Sequence, residues 1–172
     1  MSHSKRIAAR KGFSLIELVI VVVIIGIIAA IAIPKMSKGS AGAGDSALQG
    51  NLTVLRNAVE LFNSEHGALP SGTAANVEDQ LTKYTNAAGT FNATKTKDVT
   101  NGYSYGPYVR KLPAMPVGTK KGVATLKVGV STTDSPGTGT EAWLYFSDTG
   151  EVKANLADSE TPSGSSTPYN AL

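Results

Sequence analysis

One carboxylate, that of Glu17, lies inside a long apolar stretch near the start of the chain. Of the 21 residues from Phe13 to Ile33, only Ser14 and Glu17 are polar. A carboxylate at the centre of a membrane costs about 2.5–3.5 kcal/mol on insertion scales, and less near the membrane surface. A plain hydrophobic anchor therefore explains the rest of this stretch but does not explain Glu17.

Side chains that could catalyse a reaction are scarce. The chain has no cysteine, which excludes a disulfide framework, a thiolate zinc site and a cysteine nucleophile. Its two histidines are His3 and His66. No nucleophile motif accompanies His66, which we expect at a helix end, solvated or satisfied by the helix dipole. We predict that the protein is not an enzyme.

The apolar stretch has the length of a membrane-spanning helix. Twenty-one helical residues span about 30 Å, the thickness of a hydrocarbon core. The stretch is too long for a secretory signal peptide, and Ala29–Ala32 is a poor cleavage site. Four basic residues precede it, which predicts a cytoplasmic N-terminus: Lys5, Arg6, Arg10 and Lys11. Residues 13–172 carry 12 basic and 13 acidic side chains, so we expect no nucleic-acid binding.

The segment Lys11-Gly12-Phe13-Ser14-Leu15-Ile16-Glu17-Leu18, with the apolar run and Pro34 after it, resembles the N-terminus of type IV pilins and type II secretion pseudopilins. The resemblance implies that a membrane-embedded prepilin peptidase cuts after Gly12 and that Phe13 becomes the N-methylated terminus. It also implies that Glu17 and Pro34 serve in filament assembly. The architecture further along the chain fits the same family.

Removal of the leader would expose an α-amine on Phe13, with an ordinary pKa of about 8. The resemblance implies that Glu17 of an incoming subunit meets the Phe13 amine of its neighbour and fixes the axial stagger. Removal of one partner of a buried ion pair typically costs about 3–5 kcal/mol. Phe13 and Glu17 are also four residues apart, so they could instead pair within one chain. The sequence leaves both arrangements open.

A second helical segment follows a weak region. Pro34 and the glycines after it predict a hinge, or alternatively close helix packing, before residue 45. Apolar residues then recur in steps of four and three: Leu48, Leu52, Leu55, Val59 and Phe62. Asp45 is the expected N-cap of this helix, and Gly67 its C-terminal stop.

The remainder predicts a small head built on a sheet. A short helix is expected over residues 76–84, a strand over 123–130, and a hairpin that joins 142–146 to 151–153. The segment from Tyr105 to Pro116, which contains Gly106-Pro107-Tyr108, resembles part of the major pseudopilins.

The predicted fold is therefore α+β and type IV pilin-like, with a long N-terminal helix packed against a small antiparallel sheet. Its expected parts are a leader (1–12), a transmembrane and assembly helix (13–34), a hinge with an amphipathic helix (35–66), a head (67–154) and a disordered tail (155–172).

No cofactor is expected, although several major pseudopilins hold calcium in an acidic C-terminal loop. The weak candidates for such a site are Asp134 and Asp148, and no EF-hand spacing surrounds them. Asp148 also stands where a turn favours aspartate for its backbone hydrogen bonds.

The leading hypothesis is a structural subunit of a type IV pilus-like filament or a type II secretion pseudopilus. Its expected partners are further copies of itself, the prepilin peptidase and methyltransferase, an inner-membrane assembly platform, and minor pilins or pseudopilins. It would cross the bacterial inner membrane once and then enter a periplasmic or extracellular filament. The alternative is a membrane-anchored binding or enzymatic domain that does not polymerise.

Overall fold

The computed structural model describes residues 12–162 and 164–172, and for residues 31–41 it describes the backbone alone. The chain divides into two compact units, one that ends at Gly39 and one that spans Ser40–Leu172. The elements are the helices α1 (Leu15–His66) and α2 (Ala74–Thr82) and the strands β1 (Leu126–Gly129), β2 (Trp143–Phe146) and β3 (Val152–Ala154). A 3-10 turn at Tyr169–Ala171 follows.

The first unit contains the N-terminal part of α1, which begins at Leu15. No helix among the residues searched, all within the described part of the chain, is long and apolar enough to cross a membrane. The final residues of the predicted anchor, 31–34, have side chains outside that description, and Pro34 is one of them. The helix assignment runs through this position without a break, and the predicted hinge stays a prediction.

The second unit, hereafter the head, is organised around the predicted apolar stripe of α1. All five stripe residues are at most 2% exposed and belong to one hydrophobic core with the sheet: Leu48, Leu52, Leu55, Val59 and Phe62. The step pattern of three and four is confirmed as the buried face. Asp45 does not begin a helix, because α1 already includes it, and its carboxylate instead accepts a hydrogen bond from Tyr169 at 2.6 Å.

The sheet has three strands in the order β1-β2-β3, and it is mixed. The predicted hairpin is confirmed, since β2 and β3 pair antiparallel through a turn in which Gly150 has a positive φ of 77°. The prediction of a fully antiparallel sheet is wrong, because β1 pairs parallel with β2. The physical reason is the connection over residues 130–142, which is long enough to return the chain to the neighbouring strand's start.

Asn155 holds that connection in place and is fully buried. Its side-chain amide donates to the carbonyl oxygens of Thr138 and Glu141, both at 2.8 Å, and accepts from the Gly137 N–H at 2.8 Å. All of the amide's polar atoms are thereby satisfied inside the core. This residue gave no signal in the sequence analysis.

The segment after β3 differs from the predicted disordered tail. Leu156 is fully buried, and Tyr169 and Asn170 are less than 9% exposed. The Asn170 amide donates to the Leu156 carbonyl at 2.9 Å and to the Asp158 carboxylate at 2.7 Å. Ser, Thr and Pro make up 8 of the 18 residues from Asn155 to Leu172, but the buried Leu156 and Tyr169 side chains belong to the core of the head.

Candidate functional site

The predicted cleavage position lies just outside the regular helix. Gly12, Phe13 and Ser14 are non-helical, and α1 begins at Leu15. The Phe13 side chain is 81% exposed. The Gly12–Phe13 peptide bond therefore lies in the non-helical segment that precedes α1.

Glu17 contacts the backbone of Ser14 at the start of α1. The Ser14 N–H donates to Oε2 of Glu17 at 3.0 Å, and the Ser14 carbonyl accepts from the Leu18 N–H at 3.3 Å. Ser14 is thus the N-cap, and Glu17 occupies the third helical position. A glutamate at that position that reaches back to the N-cap amide is one half of a capping box. The sequence analysis missed this contact, although the spacing Ser-x-x-Glu is its known signal.

The capping contact bears on both arrangements considered for Glu17. In the chain described here the Phe13 nitrogen is a peptide amide, so an ion pair with it becomes possible only after cleavage. The carboxylate already has an intrachain donor near the helix N-terminus, where the helix dipole also favours a negative charge. Any pairing with an amine must compete with this contact.

The helix surface around Glu17 is apolar on every side. All large apolar side chains from Leu15 to Ile28 are at least 41% exposed. A helix that is hydrophobic all round is stable when a membrane or other protein covers it. This segment can therefore supply a surface for lipid or for neighbouring helices.

One glycine that was predicted to weaken α1 has a packing role in the head. A Cβ atom on Gly44 would lie 2.8 Å from Cγ1 of Val117, which is closer than van der Waals contact permits. At this position the small residue permits close approach of the neighbouring loop at Val117, and the choice between a hinge and close helix packing stays open.

His66 lies at the end of α1 and is half-buried in a hydrogen-bonded cluster. Its Nε2 atom is 2.9 Å from the Tyr108 hydroxyl and 3.0 Å from the Thr85 hydroxyl. Tyr108 in turn donates to Oε2 of Glu65 at 2.7 Å. Burial, and then this hydrogen bond, raise the pKa of Tyr108 well above its usual range. The cluster joins the Gly106-Pro107-Tyr108 segment to the helix end.

The two weak calcium candidates serve as hydrogen-bond acceptors in neighbouring turns. Asp134 accepts from Lys127 Nζ at 2.9 Å and from the Val130 N–H at 3.0 Å. Asp148 accepts from the Ser131 N–H at 3.1 Å and also from the Ser131 hydroxyl. These bonds lower the pKa of both carboxyl groups, chiefly through Lys127 and Ser131 respectively. No group of three or more potential metal ligands was found among the described residues.

Comparison with known protein families gives a match at the N-terminus. Residues 7–33 match the prokaryotic N-terminal methylation motif, which is the prepilin-type signal of type IV pilins and pseudopilins. The resemblance found in the sequence is thereby confirmed for this segment. The motif supports a type IV pilin-like or pseudopilin precursor. Neither the curated proteins nor the solved structures gave a match to the chain.

Proposed function

We propose that this protein is a structural subunit of a type IV pilus-like filament or type II secretion pseudopilus. The observation that carries the proposal is the methylation motif over residues 7–33, together with the exposed large apolar side chains of α1 from Leu15 to Ile28. A folded head of this size has no need of such a helix for its own core. Insertion in a membrane followed by packing into a filament accounts for it.

The proposed maturation begins with cleavage between Gly12 and Phe13 and N-methylation of Phe13. Before cleavage, the basic leader holds the N-terminus in the cytoplasm, and residues 13–34 cross the inner membrane once. The head then lies on the opposite side, in the periplasm. The assembly platform and minor pilins or pseudopilins would be the partners that move the subunit into the filament.

Glu17 would act as a register device during this transfer. Within an apolar environment its carboxylate and the new Phe13 amine are each costly alone and compensate each other when paired. The capping contact with the Ser14 N–H, at 3.0 Å, satisfies one lone pair of the carboxylate in the meantime. A carboxylate can accept several hydrogen bonds, so an amine could join without complete loss of the cap.

The direct test is the N-terminus of the protein that resides in the membrane. Intact-mass and N-terminal analysis should find a chain that begins at methylated Phe13. A Gly12→Val variant should accumulate as the full-length precursor. Retention of Met1 in the wild-type chain, or cleavage near Ala32, would favour the non-polymerising anchored domain instead.

Filament formation is tested separately by electron microscopy of cells with and without the gene. Long external filaments that disappear on deletion would indicate a surface pilus. Short filaments that form only on overproduction, with loss of a secreted protein on deletion, would indicate a secretion pseudopilus. If purified mature protein and whole cells both lack filaments, the proposal fails.

A further inference from the structure

A tight turn on the head carries an Asn-Gly pair at its exposed tip. Asp98 and Tyr103 form an antiparallel bridge, in which each backbone N–H donates to the other residue's carbonyl, at 3.0 and 2.8 Å. Residues 99–102 are the loop that this bridge closes. Asn101 and Gly102 are both exposed in it. Exposed loop tips are the preferred sites of proteolytic nicking, and they are equally open to other covalent changes because little packs over them.

Asn101 differs from the other asparagines in the residue that follows it. It is the only one of the chain's nine asparagines that a glycine follows. Glycine has no Cβ atom, so its amide nitrogen can come close to the preceding side chain. The two other asparagines in loops that are not buried, Asn86 and Asn92, are each followed by alanine. The remaining six lie in helices or are buried.

Asp98 restrains the Asn101 side chain. Its carboxylate accepts hydrogen bonds from Asn101 Nδ2 at 2.7 Å and from the Asn101 N–H at 3.1 Å. These bonds lower the pKa of the Asp98 carboxyl, the side-chain bond most. The Gly102 N–H donates to the Val99 carbonyl at 3.1 Å. A reaction between the Asn101 side chain and the Gly102 nitrogen therefore requires the turn to open.

Opening of this turn should cost little free energy. Segments with few buried contacts open locally long before the whole fold does. The largest side chain of the loop, that of Val99, is 68% exposed, so its release uncovers little apolar surface. The backbone bonds that break are replaced by bonds to water.

We propose that Asn101 and Gly102 form a self-modification site, at which the asparagine loses its side-chain amide without an enzyme each time the open turn reacts. The Gly102 nitrogen gives up its proton and attacks Cγ of Asn101. A new C–N bond closes a cyclic imide, the bond from Cγ to Nδ2 breaks, and the nitrogen leaves as ammonia with the released proton.

Water completes the reaction by opening the imide at either of its carbonyl carbons. Addition at Cγ breaks the bond from Cγ to the Gly102 nitrogen and leaves an aspartate in an ordinary main chain. Addition at the backbone carbonyl carbon leaves an isoaspartate, whose main chain runs through Cγ. Each product takes one oxygen atom from water, and no oxidant or reductant is needed.

Either product changes the turn. A carboxylate stands where the Asn101 amide donated to Asp98, so two bonded groups become two like charges, which repel. Isoaspartate also lengthens the main chain within the loop and moves Asp98 and Tyr103 out of register. The head thus acquires, with age, a more negative and more open loop. The site is a property of the head and does not depend on polymerisation.

Peptide mapping of the full chain, held in detergent at physiological temperature and mildly alkaline pH, tests the site. Trypsin should release residues 98–110, in which Asn101 is the only asparagine, and residues 84–95, which contain Asn86 and Asn92. Relative to a zero-time sample, the first peptide should lose its amide severalfold faster than the second. The product should contain isoaspartate, and it should carry the label when the water is enriched in heavy oxygen. Equal rates in the two peptides, or aspartate without isoaspartate, would overturn the proposal.

Two variants separate the reaction from its restraint. Gly102→Asn adds a Cβ atom at a positive φ of 82°, which asparagine tolerates, and should lower the rate at Asn101 to that of the control peptide. Asp98→Ala frees the Asn101 side chain and should raise the rate severalfold. Thr100→Ala, at an exposed neighbour in the same loop, is the matched control and should leave the rate unchanged. An undiminished rate in Gly102→Asn would refute the site, and an unchanged rate in Asp98→Ala would refute the restraint. Neither result bears on filament formation.

Discussion

Two parts of α1 carry the same kinds of apolar side chain and bury them very differently. From Leu15 to Ile28 every large apolar side chain is at least 41% exposed, whereas from Leu48 to Phe62 the stripe residues are at most 2% exposed. Apart from Glu17, the first part has no polar side chain, whereas the second is apolar in steps of three and four. A one-sided stripe can be covered by the chain's own sheet, but a helix that is apolar all round needs surroundings supplied from outside.

The polar groups of the two parts differ in the same sense. In the head, no buried side-chain nitrogen or oxygen of the described residues lacks a hydrogen-bond partner. Glu17, by contrast, has one partner, the Ser14 N–H, and is exposed. The buried polar groups of the head are therefore satisfied within one chain, whereas the Glu17 carboxylate on the N-terminal helix can still accept further hydrogen bonds.

The largest expected effect is on assembly and comes from Glu17→Ala. Loss of one partner of a buried ion pair should weaken filament formation by about two orders of magnitude or more. Leader removal should continue, because Gly12 and Phe13 are unchanged. Filament yield by electron microscopy and precursor processing by mass spectrometry measure the two effects. Ser14→Ala is the matched control, since it keeps the backbone N–H that contacts Glu17. Normal filaments from Glu17→Ala would contradict the register role.

The next largest effect is on the stability of the head, and it distinguishes buried from exposed apolar side chains of α1. Leu52→Ala should destabilise the head by about 2–5 kcal/mol, because it leaves a cavity in the core. Leu61→Ala, at a side chain that is 50% exposed, should change stability by no more than about 0.5 kcal/mol.

Both changes can be followed in the full chain in detergent by urea unfolding. Trp143 is the single tryptophan and is fully buried, so its fluorescence reports on the head alone. Equal midpoints for the two variants would mean that the described burial of Leu52 is not what stabilises the head.

A smaller loss should follow removal of the buried amide that organises the parallel crossover. Asn155→Ala removes the hydrogen bonds to the Gly137 N–H and to the carbonyls of Thr138 and Glu141, although the Thr138 carbonyl keeps its bond from Lys120 Nζ at 3.4 Å. Gly137 and Thr138 are exposed, so water can replace part of the lost bonds, and we expect a loss of about 1–3 kcal/mol, the cost of one unsatisfied buried group. The same urea measurement detects it, with Asn57→Ala as the exposed control. An unchanged midpoint would show that the crossover does not depend on Asn155.

The smallest effect is on acid stability. The folded pKa of Asp134 and Asp148 lies below the ordinary value of 3.8, so both ionised carboxylates stabilise the fold above that pH. This contribution should be lost as the pH falls through the folded pKa, below about pH 4. The double variant Asp134→Asn, Asp148→Asn should show a shallower decline of the unfolding midpoint between pH 5 and 3. An identical decline would place the acid-labile groups elsewhere.

Much of this organisation could be predicted from local patterns. The step pattern of Leu48 to Phe62 indicated the buried helix face, and the glycine-closed turn before Glu151 indicated the hairpin. The ordered motif around Gly12 and Glu17 indicated the prepilin-type signal, because several residue types must coincide in sequence. The spacing of Ser14 and Glu17 also matches a capping box, and it could have predicted the contact at the start of α1.

The remaining features depend on contacts between distant residues. The relative direction of β1 and β2 depends on the path of the connection over residues 130–142. The sequences of the two strands do not predict this direction. Asn155 resembles any loop asparagine until the folded chain surrounds it. The segment 155–172 is polar on average, yet the buried side chains of Leu156 and Tyr169 pack it against the core. An average composition does not reveal the effect of so few residues.

The position of the sheet along the chain has a consequence for export. All three strands lie between Leu126 and Ala154, whereas the helix face that they cover ends at Phe62. If the head crosses the membrane with its N-terminal end first, the apolar helix face stays exposed until about ninety further residues have crossed. Only contacts between residues far apart in the sequence can cover it, and such contacts form slowly and leave the chain prone to aggregation. If the subunit is exported as proposed, slow translocation should raise the amount of degraded or aggregated chain.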